Sequence, residues 1–169
     1  METIEAILSR RSIRQFTNQP VSEELVEQLL EAAMQAPSAR NTQPWHFVWM
    51  DDRKLLDAVP RFHPYAQMLR QAPLAIAVCG DTTLESNIHY LNQNCSAATQ
   101  NLLLAAHALG LGAVWLGIFP REQRVDGLRQ LLNLPETILP ISLVALGYPA
   151  EHPGRVVRFR RERIHRNGW

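Results

Sequence analysis

The chain has 169 residues, of which 46% are hydrophobic and 20% charged, and its net charge is +1. This length and composition are typical of one globular domain with a buried core, and the near-neutral charge does not indicate nucleic acid or an anionic membrane as a partner. Cys79 and Cys95, without a CxxC motif or clustered histidines, indicate neither a disulfide framework nor a metal site. With no signal-peptide pattern and no apolar run near 18 residues, a length of about one membrane span, we expect a cytoplasmic protein.

Apolar residues at helical spacing predict a short N-terminal helix with Ile4, Ile7 and Leu8 on one face. A second helix should begin after Ser22 as N-cap and end before Pro37. The later pattern predicts further helices over 53–59, 65–71, 91–109 and 121–132, and strands over 45–50, 74–79, 113–119 and 141–146. Helices and strands do not alternate regularly, which favours an α+β fold over a doubly wound sheet.

The helix over 91–109 has the clearest pattern. Its apolar residues alternate between four and three positions apart, which is a heptad seam; they are Leu91, Cys95, Ala98, Leu102, Ala105 and Leu109. Beyond Leu102 the other faces also become apolar, so we expect cover on several sides, part of it from another subunit. Gly110 followed by Leu111 predicts a left-handed C-cap. A dinucleotide-binding loop is excluded, because that glycine motif follows a strand and opens a helix.

Residues 9–14, with the sequence SRRSIR, concentrate three arginines and two serines. In a helical turn Arg10 and Arg14 would share a face, and in an extended chain Arg10, Ser12 and Arg14 would lie on one side. Either geometry directs guanidinium groups toward one anion, and their planar donors suit phosphate. A solvated, charged helix end is the alternative interpretation.

Residues 36–45, with the sequence APSARNTQPW, form a second polar stretch. Asn41 and Gln43 offer donors and acceptors that suit a hydroxylated chain or the edge of a heterocycle, although an ordinary proline-bounded loop would look similar. The chain has no GxSxG, HExxH or P-loop motif and no paired carboxylates, and we expect most of its histidines to be structural or exposed. Anion-binding features without acid–base candidates are compatible with an enzyme whose cofactor carries the chemistry.

The chain contains a series of short motifs. They are RRSIRQF and APSARNTQPWHF, followed by AP at 72–73, GLG at 110–112, WLG at 115–117, GYP at 147–149 and an arginine-rich end. In these motifs the chain resembles the flavin-dependent nitroreductase family. The resemblance covers nearly the whole chain. It implies one domain over 1–169, with a central, mostly antiparallel sheet flanked by helices. It also implies an intertwined homodimer in which a C-terminal arm, about 150–169, docks on the partner subunit and adds a strand to its sheet.

The resemblance also implies the residues that bind FMN. The residues that match the segment around the phosphate and ribityl chain are Arg10, Arg11, Ser12 and Arg14. Those that match positions reaching FMN from the other subunit are Pro37, Ser38, Ala39, Asn41 and Gln43. Leu116 and Gly117 match the backbone beside the flavin ring, where an N–H is placed to bond N5. Arg158, with Arg160 as the alternative, matches the C-terminal phosphate arginine. No side chain is implied to be catalytic.

Three departures from the family concern the substrate side. Classical members carry a glutamate at the position of Leu116, and an asparagine and a lysine at the positions of Tyr65 and Met68. The chain also lacks much of the inserted helical region that roofs their active site. A more open or differently lidded pocket follows. Phe62, Tyr65 and Trp115 are candidates to line it, with a core role as the alternative for Trp115.

The implied function is an FMN-dependent oxidoreductase. NADH or NADPH delivers a hydride to flavin N5, and a small electrophilic acceptor such as a nitroaromatic, quinone or enone then occupies the same face, which implies ping-pong kinetics. A specialised flavin reaction on the same fold, such as dehalogenation or flavin fragmentation, stays open, and so does a non-catalytic flavin-binding or regulatory dimer. The sequence decides neither the donor nor the physiological acceptor.

Overall fold

A four-stranded antiparallel sheet with helices on both faces organises the protein, of which the computed structural model describes residues 1–169. The helices are α1 (Thr3–Ser9), α2 (Glu23–Met34), α3 (Arg53–Ala58), α4 (Ile88–Ala108) and α5 (Glu122–Leu132). The strands are β1 (Trp45–Met50), β2 (Leu74–Asp81), β3 (Gly112–Gly117) and β4 (Ile138–Gly147). Short 3₁₀ turns cover 39–41, 59–61, 67–70 and 161–163.

The strand order is β1-β2-β4-β3, and each neighbouring pair is antiparallel. This confirms the predicted α+β class. Strands β2 and β4 are central and almost wholly buried, which explains why they read as continuous apolar runs. Strand β3 is an edge strand, so one side of its backbone is free for other partners.

Successive residues of the central strands face opposite sides of the sheet, and each side has its own core. Ile76 and Val144 pack on the side covered by α2 and α4. Ala77 and Leu143 pack on the side covered by α3 and α5. The sheet is therefore the middle layer of three.

Helix α4 carries the predicted apolar seam, and this seam packs on the sheet of its own chain. Leu91, Cys95, Ala98 and Leu102 are buried within the chain, whereas Leu109 at the end of the seam is 37% exposed. Gly110 has φ 79°, and the N–H of Leu111 bonds the carbonyl of Ala106 at 2.8 Å. The predicted left-handed cap is confirmed.

Two predicted helical segments differ from the structure. The helix predicted over 65–71 is only a 3₁₀ turn at Gln67–Arg70, because Pro64 and Pro73 bracket a segment too short for an α-helix. The predicted apolar face of α1 exists but is not covered: Ile4, Ile7 and Leu8 are 68%, 50% and 50% exposed.

Candidate functional site

The arginine-rich segment is extended and lies along the outer edge of β3. Helix α1 ends at Ser9, Ser12 forms a parallel bridge with Ala113, and the N–H of Ile13 bonds the carbonyl of Ala113 at 3.0 Å. The extended arrangement is thus the correct one of the two alternatives. Gly112 allows the segment to lie this close to β3, because a Cβ at this position would lie only 2.7 Å from Cγ2 of the buried Ile13.

Arg10, Arg11 and Arg158 form a cationic cluster at one end of this segment. Burial and the nearby charges of Arg158 and Arg11 lower the pKa of the half-buried Arg10. None of the three has a carboxylate within 4.0 Å, since the only ion pairs are made by Arg40, His46 and Arg53. Arg11 also donates to the carbonyl of Gly154, which ties the C-terminal segment to the cluster. Such uncompensated guanidinium groups are suited to bind an anion.

A cavity of about 500 Å³ lies beside this segment, between β3, the 63–68 segment and α5. It is lined by Arg14, His63, Pro64, Tyr65, Gln67, Met68, Val114, Trp115, Leu116, Gly117 and Arg124. The structure thus brings together three predicted site residues, Arg14, Leu116 and Gly117, with Tyr65 and Trp115 as expected lining residues. Phe62 lines a neighbouring cavity instead, and a Cβ at Gly127 of α5 would collide with its ring.

The backbone of Gly117 is directed away from the sheet. The next residue, Ile118, donates its N–H to the carbonyl of Ile141 at 3.2 Å, so alternation turns the N–H and C=O of Gly117 outward. The carbonyl of Gly117 accepts a hydrogen bond from Arg124 Nη1 at 2.8 Å and is 3.1 Å from His63 Nε2. The Gly117 N–H is left as a donor beside the cavity.

His63 and Arg124 are site residues that the sequence analysis missed. His63 is 1% exposed; Nε2 carries the proton toward Gly117, so Nδ1 is a bare acceptor, and it has no partner. Burial, and then the charge of Arg124, lower the pKa of His63, which keeps the ring neutral at pH 7. The Arg124 guanidinium lies 5.6 Å from the centroid of the Tyr65 ring. No sequence motif links these positions, which only the fold brings together.

The loop over 37–43 is held by contacts within its own chain. The N–H of Ala39 bonds Asn94 Oδ1 at 2.9 Å, the N–H of Gln43 bonds Ser38 Oγ at 3.0 Å, and Arg40 pairs with the buried Glu85. The side chains of Asn41 and Gln43 are exposed. None of Pro37, Ser38, Ala39, Asn41 or Gln43 lines the cavity that contains Arg14. Within one chain, therefore, the structure does not bring this loop to the arginine-rich segment.

Other reactive groups lie away from this cavity. Cys79 and Cys95 are free and buried, and burial raises the pKa of each thiol to about 12, so both stay protonated. No group of three or more histidine, cysteine or acidic side chains is placed to hold a metal ion. None of the helices combines the length and the apolarity that a membrane span requires.

Comparison with known proteins gives consistent matches over the chain. The model of the nitroreductase family matches residues 7–65 and 59–148. A protein of Methanothermobacter thermautotrophicus, provisionally named NADH dehydrogenase/NAD(P)H nitroreductase, is 49% identical over 169 residues, which are 100% of this chain and 88% of that protein. A crystal structure of a protein with the same provisional name from Parabacteroides distasonis has a TM-score of 0.95 at 42% identity, covering 99% of this chain and 98% of that chain.

A further crystal structure contains a ligand. It is of a provisionally assigned nitroreductase from Desulfovibrio desulfuricans in complex with FMN, with a TM-score of 0.86 and 34% identity. The match covers 100% of this chain and 98% of that chain.

Proposed function

The chain belongs to the nitroreductase family, and from this premise we propose that it is an FMN-dependent oxidoreductase that uses NAD(P)H to reduce small electrophilic acceptors such as nitroaromatics or quinones. The name of the Methanothermobacter relative supports the nicotinamide donor, and the Desulfovibrio complex supports the cofactor. FMN combines an anionic phosphate with a planar ring, so its site needs cationic groups for the phosphate and hydrogen-bond donors for the ring.

The residues present fit both parts of FMN. Arg10, Arg11 and Arg158 form an uncompensated cationic cluster that suits the phosphate. The outward N–H of Gly117 suits an acceptor atom of the ring, and Arg14 lies in the same cavity. This pairing of an unneutralised arginine cluster with a free backbone donor at the edge of β3 is the observation that carries the proposal.

Bound FMN supplies the hydride transfer, accepting from the nicotinamide and delivering to the acceptor. The protein contributes position. Arg10, Arg11, Ser12 and Arg14 would bind and orient the phosphate and ribityl chain of the cofactor, and Arg158 its phosphate. His63 and Arg124 hold the Gly117 carbonyl and so fix the backbone of this residue, whose own N–H would be available to the flavin ring. Because the nicotinamide donor and the acceptor would both have to use the one cavity beside Gly117, we expect ping-pong kinetics.

The proposal includes a homodimer with FMN at the interface. Pro37, Ser38, Ala39, Asn41 and Gln43 then contact the FMN of the partner subunit. The loop is suited to this role, because it presents exposed amide side chains on a backbone fixed by Asn94 and Glu85. The segment 150–169, exposed over nearly its whole length, then serves as the arm that docks on the partner.

The visible spectrum of the purified protein, followed by chromatography of the flavin released by heat, tests the cofactor. We expect FMN. NADH and NADPH oxidation should depend on an added nitroaromatic or quinone, and double-reciprocal plots at several acceptor concentrations should be parallel. Recovery of FAD, or no flavin after reconstitution, would contradict the cofactor assignment. Bound FMN without acceptor-dependent oxidation of NAD(P)H would indicate a carrier rather than an enzyme.

A further inference from the structure

We propose that Arg124 is the receptor for an anionic oxygen group, a carboxylate or a phosphate, on the molecule that exchanges electrons with the flavin. The inference rests on the proposed function and names the substrate class that its cavity selects. Arg124 lies in the first turn of α5 and is not among the residues proposed to contact the cofactor directly.

The charge of Arg124 is not neutralised by the protein. Arg14 and Arg124 are the only lining residues with a permanent charge, and no acidic side chain lines the cavity. Arg124 also makes no ion pair within 4.0 Å. The role assigned to Arg14 is with the cofactor, so Arg124 brings a positive charge that a second, anionic ligand would complement.

The guanidinium is held in position by neutral partners. Nη1 donates to the carbonyl of Gly117 at 2.8 Å, and the Tyr65 ring centroid lies 5.6 Å from the guanidinium carbon. Arginine has five N–H donors in a planar fork, so one hydrogen bond to Gly117 leaves several donors unused. A preoriented fork of this kind matches a carboxylate or phosphate with paired hydrogen bonds.

His63 complements Arg124 in the same cavity wall. Because burial and the Arg124 charge lower the pKa of His63, the ring adds no second positive charge at pH 7. Its unpartnered Nδ1 is buried, so the accessible polar group of this wall is the Arg124 guanidinium. The wall therefore combines one anion receptor with the exposed ring of Tyr65, which suits a small planar molecule bearing an anionic group.

Equilibrium binding to the FMN-loaded protein tests the proposal with two probes that share a ring and differ in charge, benzoate and benzamide. Perturbation of the flavin spectrum and titration calorimetry measure the affinity. We expect Arg124→Gln to weaken benzoate binding by roughly ten- to a hundredfold, the range for a charged hydrogen bond, and to leave benzamide unchanged. Arg124→Lys should retain part of the preference for benzoate.

Arg121→Gln is the matched control. It removes the same charge one turn earlier, from an exposed side chain without a hydrogen bond, and should behave as the wild type. Equal losses of benzoate and benzamide in Arg124→Gln would show a merely structural role and overturn the proposal, as would unchanged binding of both.

Two kinetic comparisons identify the source of the anion. The acceptors 4-nitrobenzoate and 4-nitrobenzamide differ in the carboxylate, and of the two donors NADH and 1-methyl-1,4-dihydronicotinamide only NADH carries the anionic diphosphate, with its riboses and adenine. A rise in KM for 4-nitrobenzoate alone assigns Arg124 to the acceptor, and a rise for NADH alone assigns it to the donor. Equal changes within each pair would overturn the proposal. If the purified protein contained no flavin, the proposed function would fail, while calorimetry with benzoate and benzamide would still decide the role of Arg124.

Discussion

The guanidinium of Arg40 donates through Nη2 to both carboxylate oxygens of the buried Glu85, at 2.9 and 2.7 Å. Arg40 lies in a loop where three non-glycine residues have positive φ: 54° at Arg40, 56° at Asn41 and 46° at Gln43. Such conformations cost energy and persist only where surrounding contacts hold them. The ion pair is one of these contacts, so it links Glu85 to the loop proposed to serve the neighbouring subunit's flavin.

Replacing Glu85 should therefore loosen this loop. We expect Glu85→Gln to lower the melting temperature by a few degrees and to weaken FMN binding, because the loop would lose its fixed conformation. Glu27→Gln, on an exposed position of α2, is the control for the loss of one carboxylate. Thermal unfolding with and without FMN, together with an FMN titration, measures both effects. An affinity equal to that of the wild type would show that the loop does not depend on the ion pair.

The Glu85 contribution should also depend on pH. The hydrogen bond from Arg40, and then that from the Asn87 N–H, hold the pKa of Glu85 below its ordinary value. A carboxylate with a lowered pKa in the folded state stabilises the protein fully above the ordinary value of about 4.3, and loses that contribution as pH falls through the lower, folded pKa. The difference in melting temperature between wild type and Glu85→Gln should thus shrink in acid, and a constant difference would contradict this account.

Arg10→Ala should weaken FMN binding by about ten- to a hundredfold, the loss expected for one charge-assisted hydrogen bond to phosphate. The fold should persist, because Arg10 makes no ion pair. Arg61→Ala, at an exposed position of a 3₁₀ turn, is the control. Since Arg10 and Arg158 share the cluster, the double variant should lose less than the sum of the single losses.

The choice between Arg158 and Arg160 can be tested in the same titration. The charge of Arg158 acts on Arg10, so Arg158→Ala should impair FMN binding more than Arg160→Ala. The opposite order would transfer the assignment to Arg160.

Gly112→Ala should damage the site through packing. The added Cβ would lie 2.7 Å from Cγ2 and 2.9 Å from Cβ of Ile13, so the segment carrying the arginines would have to move away from β3. We expect a stability loss of about 1–3 kcal/mol from overpacking and a parallel loss of FMN affinity. Gly168→Ala is the control, because a Cβ there meets nothing within 4 Å. Chemical denaturation and FMN titration measure the two effects, and an intact affinity in Gly112→Ala would show that the segment does not need this close approach.

The strands and the end of α4 could be predicted from local signals. Strand β2 is a continuous apolar run, and Gly110 marks a left-handed cap whose geometry is determined within a few residues. The environment of Gly117 could not be predicted in this way. His63 lies 54 residues from Gly117 along the chain, and their contact depends on how the 63–68 segment packs against the edge of β3. Periodicity reports which face of an element is apolar, but not what covers it.

Helix α4 illustrates the same limit. Its heptad seam is buried from Leu91 to Leu102 but not at Leu109, and Cys95 and Ala98 belong to the core on the sheet of their own chain. The periodicity also predicts the apolar face of α1, but this face is exposed to solvent. The sequence contained both stripes, and only the structure shows which of them is free to contact another subunit.

The free face of α1 and the C-terminal segment lead to the last prediction, an obligate homodimer. Ile4 and Ile7 of α1 are exposed, and a cavity of about 360 Å³, lined mainly by apolar residues, lies between α1, α2 and the C-terminal part of α4. The tail adds Val157 and Phe159, which are 79% and 67% exposed. Exposed apolar groups on two separate elements are typical of an interaction surface, and a partner subunit would bury both.

Light scattering at micromolar concentration should therefore give twice the chain mass of 19.2 kDa. Deletion of 155–169 should lower both dimer stability and FMN content, because FMN that binds only the dimer stabilises it by mass action. Ile4→Ser with Ile7→Ser should weaken the dimer without touching the arginine cluster, so added FMN should shift this variant back toward the dimer. A monomer that retains its flavin would refute the shared site, and the assignment of Pro37–Gln43 to the neighbouring subunit would then have to be withdrawn.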